Sequence, residues 1–263
     1  MCKIKLIFVL IQMAISEGWI KWRKYLQVHE FKIFSSFVSS SSVNILEIGG
    51  GDGMKSMFFK ELDYKVECVD IEPWEHQFSP VIKIEKNQLP FESKFFDVIF
   101  SSNVITDLND KKLFFNEMNR VLRDDGIIIH EVPSIWWSFF TNFWHYVLIP
   151  KFILKSIFKT SNSSQQTTEK NASFTQTVSK YSKLKRLFTH SFGDNPSFIH
   201  EIFYYTKKSW KFFFKSYNYN IIENKNGTLF FTGYGIFKNH LISFRKLLSI
   251  GFPSVYYFVL QKK

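Results

Sequence analysis

The chain predicts a doubly wound α/β fold, a largely parallel sheet with helices on both faces. Three observations carry that expectation. A short apolar run, "VNILEI", meets a glycine cluster of Gly49, Gly50, Gly51 and Gly53, and a helical stretch, "MKSMFFKEL", follows directly. Strand-like and helical runs then alternate, which is the pattern of βαβ units. The chain closes on "SVYYFVLQKK", a strand-like segment rich in aromatic and β-branched residues.

Taken in order, residues 1–42 read as an N-terminal helical segment of one or two helices, ending in the serine run "SSFVSSSSVN". "VNILEI" is the first strand, "KVECVD" the second, "VIKIE" the third and "FDVIFSS" the fourth. "DKKLFFNEMNRVL" has helical amphipathic spacing, and "GIIIHEV" supplies a fifth strand. Right-handed crossovers place the intervening helices on both faces. Residues 43–134 are therefore the ligand-binding part of the domain.

After "EVPS" the alternation stops. Residues 135–205 read as an inserted helical lid that carries substrate contacts, with "WWSFFTNFWHYVLIP" as an apolar roof. Its second half, "KTSNSSQQTTEKNASFTQTVSK", is polar and predicts a mobile loop, centred on residues 160–180. "EIFYYTKKSWKFFFKSYN" reads as a helix and "YNIIEN" as a strand. Residues 206–263 thereby complete the interrupted domain.

Composition excludes little but weights the rest. With 263 residues, 45% of them hydrophobic, the chain can bury a sizeable core. The net charge is +11, yet only five of the 34 basic residues are Arg, the type suited to bidentate phosphate recognition. Abundant Phe, Lys, Asn, Ile and Ser also match an AT-rich coding sequence. A nucleic-acid or anionic-membrane partner is permitted by this charge and not demanded by it. Cys2 and Cys68 form no metal-ligand or redox motif, so no metal is expected and a reducing, cytoplasmic compartment fits. The apolar stretches "LIFVLIQMAI" and "IWWSFFTNFWHYVLIPKFIL" are too short or too polar to span a bilayer. The second, flanked by Lys, suits peripheral contact with the inner membrane surface.

The glycine cluster sits where open α/β sheets bind ligands, between a strand and the helix after it. A dinucleotide fingerprint would place a third glycine where Met54 stands, so that reading fails. The spacing is instead Glu47, Gly49, Gly51, Gly53. An acidic residue just before the glycines repels a pyrophosphate and suits an ammonium. Asp70, seventeen residues past Gly53, ends the second strand, where a carboxylate accepts ribose hydroxyls. A nucleoside joined to an amino acid, without phosphate, satisfies both.

"ILEIGGGDG", "VDIEP", "LPFESKFFDVIFSSNVITDL" and "EMNRVLRDDGIIIHEVPS" together resemble successive motifs of the class I S-adenosylmethionine-dependent methyltransferases. The resemblance covers residues 43–134 and is to the small-molecule type that includes quinone-biosynthesis C-methyltransferases. It implies a Rossmann-like, mostly parallel seven-stranded sheet with an antiparallel last strand, and S-adenosyl-L-methionine as cofactor. It further implies that the backbone at Gly49, Gly50, Gly51 and Gly53 approaches the methionine and ribose parts. Glu47 would lie near the ammonium, Asp70 at the ribose diol, Ile71 on the adenine and Glu85 at its amino group. Ser101, with Ser102 and Asn103 beside it, would face the reactive methyl. One departure is plain: many relatives carry an acidic residue and then histidine where this chain has Thr106 and Asp107 in "VITDL".

The general base is sought elsewhere. His130 and Glu131 end the fifth strand. His190 and His200, the latter beside Glu201, follow the polar loop and are the catalytic candidates. Trp136 and Trp137 are the substrate-binding candidates, through stacking or apolar contact. The expected activity is methyl transfer to a small-molecule, glycan or lipid-linked acceptor. An RNA-modifying methyltransferase and a non-catalytic cofactor-binding subunit are the alternatives.

Overall fold

The computed structural model describes residues 2–38, 43–85, 88–108, 110–147, 198–237 and 240–263. The polar loop at 160–180 and His190 lie outside the described residues.

Helix α1 (Cys2–Ser35) leads into β1 (Asn44–Ile48), α2 (Met54–Lys60), β2 (Lys65–Asp70) and β3 (Ile82–Lys83). Then come β4 (Phe96–Ser102), a 3-10 turn at Ile105–Asp107, α3 (Lys111–Val121) and β5 (Leu122–Pro133). A helix over 135–147, here α4, follows. After it stand α5 (Phe198–Tyr204), α6 (Lys207–Ser216), β6 (Tyr219–Asn226), α7 (Tyr234–Phe237), α8 (Ile242–Gly251) and β7 (Val255–Lys262).

The seven strands form one sheet in the order β3-β2-β1-β4-β5-β7-β6. The first five are parallel, and β7 runs antiparallel between β5 and β6. That is the expected fold. Two elements differ from the sequence reading. The third strand shrinks to two residues at the sheet edge. The helix expected over 201–218 is split, because Thr206 turns its hydroxyl back to accept from Ser209 N (3.1 Å) and starts α6 afresh.

Strand alternation sorts the core into two halves. Leu46, Ile99, Ile128 and Phe258 face α3 and α6, where Phe115, Met118 and Phe214 pack on them. Ile45, Phe100, Ile129 and Val259 face the other way, against Phe34 of α1 and Phe59 of α2. The same alternation sends Ser101 and His130 to the α3–α6 face, and Glu47, Ser102, Glu131 and Tyr257 to the α1–α2 face. The consequence is a polar layer at the carboxyl ends of the central strands.

Candidate functional site

The turn after β1 is built for close approach. Gly49, Gly51 and Gly53 all have positive φ, at 76°, 59° and 71°. A Cβ at Gly53 would stand 2.5 Å from the Ser79 carbonyl oxygen, and one at Gly51 would press on the Trp74 indole at 3.3 Å. Asp70 ties this turn to β2: its Oδ2 accepts from Gly51 N (2.8 Å) and its Oδ1 from Glu72 N (2.9 Å). Each oxygen keeps a lone pair for a further donor.

Beside the turn lies a cavity of about 260 Å³. Gly49, Asp70 and Ile71 form one side; Ser102, Asn103 and Asp107 form another. Ile84, Leu89 and Phe114 give it an apolar flank. That flank is fastened from α3. Arg120 donates to the Leu89 and Phe91 carbonyls (2.8 and 2.7 Å), and Glu117 Oε2 accepts from Leu89 N (3.1 Å). The hydrogen bond from Arg120 also holds the Glu117 carboxyl below its ordinary range.

Behind Ser102 and Asn103 sits a buried group of charges. Lys55 Nζ meets Glu30 Oε2 at 3.0 Å and Glu47 Oε1 at 3.8 Å. Ser102 Oγ also donates to Glu30 Oε2 (3.1 Å), and Asn103 Nδ2 donates to Glu131 Oε1 (2.9 Å). Glu47 Oε2 accepts from the amide (3.0 Å) and hydroxyl (2.6 Å) of Ser56. Two carboxylates thus share one ammonium, with the Glu131 carboxyl close by. Burial works against the Lys55 ammonium, but Glu30, Glu47 and Glu131 outweigh it and keep it charged. Burial, reinforced by Glu30, pushes the Glu131 carboxyl up to about 8, and burial raises Glu47 as well. Glu47 Oε1 has no hydrogen-bond donor. The layer is short of positive charge.

Helix α1 reaches the glycine turn. Arg23 bridges to Asp52 Oδ2 at 2.6 Å, and its guanidinium lies over Trp74, 3.9 Å from the ring centroid. Trp74 is the residue that faces Gly51.

The expected site residues divide. Gly49, Asp70, Ile71 and Ser102 line the cavity. Glu47 lies one layer below it, bound to Ser56. Ser101 is fully buried on the opposite face, sharing a hydrogen bond with His130 Nδ1 (2.7 Å). His130 stacks on Phe214, and burial lowers its proton affinity to about 3, so it is a neutral packing residue at pH 7. Glu85 is exposed beside β3 and is not part of the cavity wall. His200 is exposed and lies parallel to Tyr204, whereas Glu201 is buried and accepts from Ser138 Oγ. The two neighbours point apart. Trp136 packs edge-on against Phe252 (4.7 Å), and Trp137 lies against the α3–α6 core and Tyr205. Neither tryptophan reaches the cavity wall. Sequence reasoning missed Arg23 and Glu30, on a helix without a motif, and Lys55, Trp74 and Tyr257, which lie beside the recognised motifs or in the last strand.

The strand order, the positive-φ glycine turn and an acidic residue closing β2 are those of a Rossmann-like methyltransferase fold. Residues 46–130 match the family model described as a methyltransferase domain. An uncharacterised protein of Methanocaldococcus jannaschii is 30% identical over 116 residues, 43% of this chain and 45% of that protein. The chain therefore spans about half the length of this curated relative. Among solved structures, the one described as a complex between the Haloferax volcanii Trm112 methyltransferase activator and "the putative methyltransferase" gives a TM-score of 0.54. That match is 9% identical and covers 94% of both chains. A Thermotoga maritima S-adenosylmethionine-dependent methyltransferase, described as a possible histamine N-methyltransferase, gives 0.51 at 15% identity, over 96% of this chain and 97% of that one. At these identities the likenesses establish the fold.

Proposed function

We propose that the protein transfers a methyl group from S-adenosylmethionine to a small-molecule, glycan or lipid-linked acceptor. The observation that carries this is the pair of carboxylates Glu30 and Glu47 against the single Lys55, with the titratable Glu131 beside them, set one layer behind a cavity bordered by Gly49. Such a layer attracts a cation and repels a phosphate. Bound there, the cofactor supplies an electrophilic methyl carbon on a sulfonium.

In this reading Gly49, Gly50, Gly51 and Gly53 offer their backbone to it. Asp70 accepts from a vicinal diol with its remaining lone pairs. Ile71, Ile84 and Leu89 sandwich a flat apolar ring. Asn103 and Ser102 transmit the field of Glu131 and Glu30 to the cavity wall. Much of the rate then comes from orienting the acceptor against the methyl carbon. Of the catalytic candidates, His190 lies outside the described residues, and exposed His200 would have to reach the acceptor from the rim.

Calorimetry with S-adenosylmethionine, S-adenosylhomocysteine, NAD and ATP tests the reading. Binding of the first two alone is expected. A response to NAD or ATP with none to S-adenosylhomocysteine would overturn it.

A further inference from the structure

A second concave surface lies away from the cofactor cavity, on the far flank of α1. It has a volume of about 400 Å³ and is bordered by His29 and Lys32 of α1, Lys225 and Thr228 at the end of β6, and Lys246 of α8. Lys225 pairs with Glu223 at 3.0 Å. Among the described residues, Lys32 and Lys246 pair with no carboxylate. His29 is fixed by a hydrogen bond between its Nε2 and Thr228 Oγ1 (2.8 Å). Burial and the Lys246 and Lys32 ammoniums lower its proton affinity, against the pull of Glu30. The groove is thus already strained by positive charge.

The groove opens onto an apolar stripe. Phe244, Leu247 and Ile250 recur every third residue along α8, with Leu241 just before it, and are exposed, Leu247 by 64% and Ile250 by 77%. Ile250 borders an adjoining hollow together with His29, Thr228 and Lys246, so stripe and basic groove are continuous. The helix is held firmly from beneath. Buried Arg245 donates to the Phe230 carbonyl (3.0 Å) and lies over the Trp22 ring at 4.4 Å. Next to it, α4 packs through Trp136 and Phe140 on Phe252, and leaves Phe139 and Phe143 exposed.

We infer that this face, the α8 stripe with Lys32 and Lys246 beside it, docks the protein on an anionic lipid bilayer surface. Bilayers present what the two halves need: phosphate charge at the level of the lysines and hydrocarbon below it for Phe244, Leu247 and Ile250. A second copy of the chain would bring the same positive groove against itself. RNA would find no arginine here, since Arg245 is buried, and an aliphatic stripe in place of stacking rings. The inference goes beyond methyl transfer and does not require it. Joined to that reading, it favours a lipid-linked acceptor.

The test is co-sedimentation of the full chain with vesicles of phosphatidylcholine alone or with phosphatidylglycerol added. Binding to the anionic vesicles only, weakening as salt rises, is expected. Lys32→Gln and Lys246→Gln should each weaken it about fivefold. Leu247→Ser with Ile250→Ser should weaken it by at least tenfold while leaving the charge intact. Unchanged thermal midpoints confirm that the variants are folded, and S-adenosylhomocysteine binding is measured in parallel, so failure of the cofactor reading shows separately. No vesicle binding, or equal binding to both lipid mixtures, overturns the inference. So does loss of RNA binding, or of a dimer, in the same variants with vesicle binding unaffected.

Discussion

Glu131 and Tyr257 face each other across the antiparallel β5–β7 pair, and the Tyr257 hydroxyl donates to Glu131 Oε2 at 2.7 Å. Both are fully or nearly fully buried, and Glu131 also receives Asn103 from the cavity wall. This carboxyl stands where burial and Glu30 resist its ionisation, next to a histidine with the opposite problem.

The pair predicts a specific stability profile. His130, at about 3 when folded against an ordinary 6.5, adds stability as pH rises from 3 to 6.5. Glu131, at about 8 against an ordinary 4.5, contributes stability fully present below 4.5 and lost as pH rises through 8. Between 4.5 and 6.5 the two slopes oppose each other; above 6.5 only the loss remains, at up to roughly 1.4 kcal/mol per pH unit. Glu47, also raised by burial, acts in the same sense as Glu131. Urea midpoints should therefore fall from pH 6.5 to 8, and Glu131→Gln should flatten that fall. A midpoint rising through this range would refute the assignment.

The same carboxyl predicts proton release on cofactor binding. A cation at the cavity wall favours ionised Glu131, so affinity for S-adenosylmethionine should rise from pH 6.5 towards 8. Calorimetry at pH 7 in buffers of different ionisation enthalpy should show a fraction of a proton released. Glu131→Gln should abolish the release. Unaltered release in that variant would place the proton elsewhere.

Asp70 and Gly51 test the rim. Asp70→Ala removes a charged acceptor that also holds Gly51 N, and should weaken cofactor binding by about 1–3 kcal/mol. Gly51→Val should weaken it further, since φ of 59° is strained for a branched residue and the side chain would press on Trp74. Parental affinity in both variants would make the turn purely architectural.

How much of this was legible follows from range. The strands of the central sheet and the glycine turn declare themselves locally, through apolar runs and a cluster that only close approach explains. Asp70 and Ser102 fall at strand ends, where register alone puts them at the rim. Glu30 and Arg23 do not, because they lie on a basic helix whose packing against α2 no periodicity specifies. Ser101 shows the limit of motif reasoning. Side-chain alternation turns it to the His130 face, one residue from Ser102 and on the other side of the sheet. The "VITDL" segment keeps its place at the cavity through Asp107, although its chemistry departs from the histidine-bearing pattern.

The last prediction concerns Arg23, the α1 residue that reaches the glycine turn. Its guanidinium joins buried Asp52 and the Trp74 face, and Trp74 in turn lies against Gly51. Arg23→Ala leaves the Asp52 carboxylate, nearly out of solvent, without its cation, at a cost of about 1.5–3 kcal/mol. Arg23→Lys should recover part of that stability, because a point charge restores the ion pair, but less of the stacking on Trp74. Trp74 fluorescence offers a separate readout: an indole released from the guanidinium should become more accessible to an aqueous quencher. The expected order of quenching is parent, then Arg23→Lys, then Arg23→Ala, with urea midpoints in the reverse order. Equal midpoints and equal quenching in all three would show that α1 rests on the turn without holding it.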